Sequence, residues 1–153
     1  MADLEEALGK LEEAVKNLDW FYDENGSFSD YISSKSFCLL RLGKYDEVIR
    51  FVDSCNNQLA YLAEGVGDAA RINRLFALKQ LGDKRFLESD VHQIDAKSKD
   101  HTVKIACQLL CDKTQQQGLS HINKMIEKDF MNYHVFEHWV LISKGLRPYN
   151  AVN

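Results

Sequence analysis

The chain repeats a short sequence pattern at a fixed interval. Residues 8–19 read Leu-Gly-Lys-Leu-Glu-Glu-Ala-Val-Lys-Asn-Leu-Asp, and the pattern returns at residues 42–53 as Leu-Gly-Lys-Tyr-Asp-Glu-Val-Ile-Arg-Phe-Val-Asp, an offset of 34 residues. A repeat of this length is one supersecondary unit, which cannot bury its apolar face without a stacked neighbour. The repeat therefore predicts a stack of similar units and favours a binding scaffold over an enzyme.

Helical periodicity runs through almost the whole sequence. Apolar residues recur at spacings of three and four, and the only proline is Pro148, so the pattern predicts an all-α fold with little room for strands. Isolated glycines follow the helical runs, and we interpret them as the turns that end helices. These glycines are Gly9, Gly43, Gly82, Gly118 and Gly145.

The turns divide the chain into a series of helical hairpins, with about seven helices in all. The predicted units span residues 4–27, 28–66, 67–99 and 100–130, followed by a capping helix at 131–145. The segment after Asn56-Asn57 is longer than the period allows and predicts an extended helix end or a longer loop. In the third unit we expect Asp68 to cap the first helix. The second helix of that unit is expected to turn Phe86, Leu87, Val91 and Ile94 inward.

Composition excludes several classes of protein. The 153 residues suffice for one domain with a core of its own. The 23 acidic residues outnumber 19 scattered basic ones, which argues against a nucleic-acid partner. The sequence has no apolar run of membrane-spanning length and starts with acidic residues, so we expect a cytoplasmic protein without membrane insertion. The four cysteines lie among apolar helical residues and are predicted to be reduced, buried thiols: Cys38, Cys55, Cys107 and Cys111.

The best-defined unit resembles a known repeat family. Ser36, Leu39, Gly43 and Tyr45 occupy the small, large and turn positions of a tetratricopeptide repeat, whose period is also 34 residues. Later units match less well, and the proline that usually closes a unit is missing, so the chain resembles a tetratricopeptide or tetratricopeptide-like protein. The resemblance implies a right-handed α-solenoid of antiparallel helical hairpins.

The resemblance also implies a binding site. In that family the first helix of each hairpin lines a concave groove for a peptide or helix of a partner protein. The corresponding partner-binding candidates here are Phe37, Arg41, Asn73, Phe76 and Lys79. Only Asn73 matches the clamp with which some members hold a chaperone C-terminus, so we do not expect that ligand. Both phenylalanines could instead pack between helices.

The expected function is a non-enzymatic interaction module or adaptor that needs no cofactor. The chain also resembles small secretion chaperones and toxin-neutralising immunity proteins, which bind proteins too.

An alternative of another class is a zinc-binding protein using His134 and His138, with Cys107 and Cys111 as further ligands. His134, Glu137 and His138 also spell the motif of inverted zinc peptidases, but the 15 residues after His138 include no Glu, Asp, His or Cys, so we expect no catalysis. The oligomeric state stays open.

Overall fold

The fold is all-helical. A computed structural model describes residues 9–10, 12–19, 28–62 and 65–128, and every regular element in these ranges is an α-helix. No helix in the described part of the chain is both long and apolar enough to span a bilayer. Residues 12–19 are helical and form α1. The later helices are α2 (Phe28–Arg41), α3 (Tyr45–Ser54), α4 (Asn56–Ala60), α5 (Asp68–Leu81), α6 (Glu88–Lys97), α7 (His101–Leu110) and α8 (Gln115–Lys128).

Two of the predicted glycine turns are confirmed. Gly43 ends α2 with φ 72° and Gly82 ends α5 with φ 65°, a backbone region that glycine enters without strain. At Gly43 the amide donates to the Leu40 carbonyl at 2.9 Å, and the next amide donates to Leu39 at 3.0 Å. The same pair of bonds follows α5, and it defines the Schellman motif that satisfies the last carbonyls of a helix.

Two other glycine predictions are wrong. Gly9 is helical, so the first copy of the repeat does not place its glycine in a turn. Gly118 lies inside α8 and is buried. A Cβ added there would come within 3.0 Å of the Leu109 side chain on α7, which explains why a residue without a side chain stands at this crossing. Gly145 and the predicted capping helix 131–145 lie outside the described residues.

Helix α5 is the centre of the described packing. It contacts α2 and α3 on the N-terminal side of the chain and α7 on the C-terminal side. Helix α2 also contacts α3, and α7 contacts both α6 and α8. Helix α6 packs more extensively on α7 than on α5, to which it is joined in sequence.

A single apolar cluster fills the space between these helices. Its largest fully buried members come from successive helices: Ile32, Leu40, Val48, Leu78, Val91, Ile105 and Leu110. All four cysteines are free thiols, and three of them are buried as predicted, whereas Cys38 is half-buried. Burial raises the pKa of the Cys107 thiol to about 12, with smaller contributions from nearby charges.

The structure also corrects details of the second and third units. The long segment after α3 contains the short helix α4, which separates from α3 at Cys55. The N-cap residue of α5 is Gly67, and Asp68 is the first helical residue, whose carboxylate accepts a hydrogen bond from Arg71 at 3.1 Å. Leu87 is 53% exposed because it precedes α6 in an extended conformation and does not share the inward face of that helix.

Candidate functional site

Two of the predicted partner-binding residues lie half-buried on α2. Phe37 and Arg41 are one helical turn apart, and the guanidinium carbon of Arg41 is 5.9 Å from the centre of the Phe37 ring. This is a cation–π distance, so the arginine covers part of the ring. Both side chains keep exposed surface that a partner could contact.

Two others belong to the protein interior. Phe76 is 3% exposed, and its ring meets Tyr45 on α3 edge-on at 6.3 Å between centroids. Asn73 is 7% exposed and donates through Nδ2 to the Ser36 hydroxyl on α2 at 2.9 Å. The alternative that the sequence left open, packing between helices, therefore describes Phe76. These two side chains connect α5 to α2 and α3.

Lys79 connects the end of α5 to the end of α7. Its Nζ donates to the Leu110 carbonyl at 2.6 Å and to Asp112 Oδ1 at 3.0 Å. A cation is favourable at this point because the carbonyl end of α7 carries the negative end of the helix dipole. The five candidates thus divide between a partly exposed surface on α2, the core, and the contact between α5 and the end of α7.

A groove lined by residues of α3, α4, α5 and α6 lies on another part of the described surface. It encloses about 450 Å³, and we call it the α3–α6 groove. A second cavity of about 280 Å³ continues it toward residue 65 and shares Leu59, Arg71, Gln93 and Ile94 with it. The ten residues lining the α3–α6 groove are Val52, Asp53, Asn56, Leu59, Arg71, Arg74, Leu75, Asp90, Gln93 and Ile94.

The polar groups of the α3–α6 groove are partly paired with one another. Arg74 Nε donates to Asp53 Oδ1 at 2.6 Å, while its Nη atoms make no hydrogen bond to the described residues. Arg71 donates to Asp68 Oδ1 and, at 3.3 Å, to the Leu59 carbonyl. Two arginines and two aspartates line the groove, so its formal charge is balanced. The lining includes no His, Cys or Ser.

One cluster of possible metal ligands occurs within the described ranges. Glu88 and His92 on α6 and Cys111, directly after α7, bring their donor atoms within 4.8 Å of one another. Cys111 was a candidate from the sequence, but Cys107 is not part of the cluster, and His134 and His138 lie outside the described residues. The sequence signal for the missed ligands is the spacing of Glu88 and His92, four residues apart and therefore on one helix face.

Comparison of the chain with protein-family models, with curated proteins and with solved structures finds no match.

Proposed function

We propose that the protein is a non-enzymatic interaction module that binds an extended peptide segment of a partner protein in the α3–α6 groove. The observation that carries this proposal is the lining of the groove, which combines aliphatic side chains with hydrogen-bonding groups of both kinds at balanced charge.

An extended peptide is the ligand that such a lining suits. Its backbone presents N–H donors and C=O acceptors in alternation, and each must keep a partner when it leaves water. The groove offers donors on Arg74, acceptors on Asp90, and both on Gln93. Leu59 and Ile94 can cover an apolar side chain of the peptide. A nucleic acid would instead require an excess of basic residues.

The order of helix contacts supports a scaffold of this kind. Helices α2, α5 and α7 contact one another in succession, and each also contacts a further helix, such as α3 beside α2 and α8 beside α7. This order is compatible with the tetratricopeptide-like solenoid that the sequence suggests. In such arrays each unit is held by its neighbours, so grooves between units are formed before the partner arrives.

A peptide-display experiment tests the proposal. Peptides selected from a random library on the purified full chain are measured by fluorescence anisotropy against the wild type and Gln93→Trp. The indole fills the groove, and we expect affinity to fall by at least about tenfold, equivalent to about 1.4 kcal/mol.

The matched control is Gln80→Trp, which introduces the same side chain at an exposed position of α5 outside the groove lining. Its affinity should equal that of the wild type. Equal affinity of Gln93→Trp and the wild type, equal loss in both variants, or failure to select any peptide would contradict the proposal.

A further inference from the structure

We propose that Glu88, His92 and Cys111 form a zinc site that links the start of α6 to the end of α7. This inference is independent of the proposed peptide binding, because none of the three residues lines the α3–α6 groove.

The geometry of the cluster suits a tetrahedral ion. Zinc bonds of about 2.0–2.3 Å place neighbouring ligand atoms about 3.3–3.6 Å apart. The carboxylate oxygen, imidazole nitrogen and thiol sulfur of the cluster already lie within 4.8 Å of one another. Glu88 and His92 are exposed and can close the remaining distance by rotating their side chains, whereas the buried Cys111 provides a fixed point.

The helix supports the same arrangement. Residues four apart on an α-helix lie one turn above each other, so α6 presents Glu88 and His92 together toward Cys111. Because these two side chains are exposed, an ion can enter from solvent, and a water molecule can complete four-coordination.

The chemistry of the donors selects the ion. A set of one nitrogen, one oxygen and one sulfur is typical of zinc, since magnesium and calcium prefer oxygen ligands alone. On binding, the Cys111 thiol gives its proton to water and the sulfur coordinates as a thiolate.

The charges around Cys111 favour a cation. Three carboxylates act electrostatically on its sulfur, those of Glu88, Asp95 and Asp112, and they are opposed by the ammonium group of Lys79. The positive charge of Lys79 is itself paired with Asp112. The excess of carboxylates therefore produces a negative potential at the sulfur, which a divalent ion would neutralise.

A bound ion would strengthen a contact on which α6 depends. Helix α6 packs more on α7 than on α5, and zinc would add a direct bond between α6 and the residue that follows α7. We therefore expect zinc to stabilise the folded chain, because a ligand that binds only the folded state shifts unfolding by mass action.

Equilibrium dialysis of the purified full chain against zinc chloride is the first test. We expect about one equivalent to bind, together with a rise in the thermal unfolding midpoint. His92→Gln changes an exposed side chain and should weaken zinc binding about 100-fold, since even outer-shell partners change metal affinity 10–100-fold. His101→Gln, at an exposed histidine on α7 outside the cluster, should bind zinc as the wild type does.

Cobalt substitution tests the sulfur ligand. The wild-type chain with bound cobalt should show a thiolate-to-metal charge-transfer absorption that Cys111→Ser lacks and Cys38→Ser retains. Absence of stoichiometric zinc would overturn the proposal. Zinc that survives His92→Gln but is lost on His138→Ala would overturn it as well, because the ion would then occupy the histidine pair near the C-terminus.

Discussion

The replacement of Phe76 by alanine distinguishes an interior phenylalanine from one that lines a binding surface. In the structure Phe76 is 3% exposed and packs against Tyr45. Truncation of a phenylalanine in a closely packed core removes its transfer free energy and leaves a cavity, at a cost of about 3–5 kcal/mol. For a chain of this size that cost lowers the unfolding midpoint by roughly 6–20 °C.

Phe37 is the matched control, since it is half-buried on α2 and solvent can occupy the space that its ring leaves. Burying a phenylalanine completely is worth about 1.5–3 kcal/mol, so Phe37→Ala should cost about 1 kcal/mol. Urea unfolding, monitored by far-ultraviolet circular dichroism, gives the free energy of unfolding of both variants. If the free energy depends on urea concentration with the same slope in both, the two unfolding transitions are comparable.

If Phe76→Ala costs no more than Phe37→Ala, the ring of Phe76 does not lie in the core, and the sequence-based assignment to an exposed groove is favoured. A large loss of stability for Phe76→Ala would also mean that its effect on partner binding cannot be read as loss of a contact.

Two further outcomes follow from the interior. Ser36→Ala should destabilise the chain by about 1–3 kcal/mol because it leaves the buried amide of Asn73 without its acceptor. The double variant that combines Ser36→Ala with Asn73→Leu should recover most of that loss, as measured in a double-mutant cycle by urea unfolding. Burial raises the pKa of Cys107 and of Tyr45 to about 12 in the folded chain. The unfolded chain then releases these protons first, so stability should be complete below about pH 9 and fall between about pH 9 and pH 12, and Cys107→Ala should reduce the fall that begins near pH 9.

The sequence predicted the features that depend on local rules. Gly43 and Gly82 end their helices because a left-handed residue at that position satisfies the preceding carbonyls, and this requirement is visible in a few consecutive residues. Helical periodicity likewise predicted that the described elements would be helices. These signals do not depend on which helix packs against which.

The features that the sequence did not predict depend on contacts between residues far apart in the chain. Gly118 is required by the approach of Leu109 from another helix, and no local pattern distinguishes it from a turn glycine. Asn73 and Phe76 were predicted to line the groove because the family resemblance assigns that role to one face of their helix. Their burial instead depends on the packing of α2 and α3 against α5. In the metal cluster, the sequence could show only that Glu88 and His92 are four residues apart on one helix. Cys111 comes close to them only through the packing of α6 on α7.

The hydrogen bond between Asn73 and Ser36 has a consequence for how the helices find their alignment. Leucine and isoleucine side chains can exchange neighbours when one helix slides along another, but this bond exists in only one alignment. A shift of α5 by one turn, about 5.4 Å, would separate the Asn73 amide from the Ser36 hydroxyl. Both polar groups would then be buried without this hydrogen bond. The bond therefore specifies the position of α5 along α2. Replacing Asn73 and Ser36 by an apolar pair should loosen that alignment more than it lowers the stability of the fold.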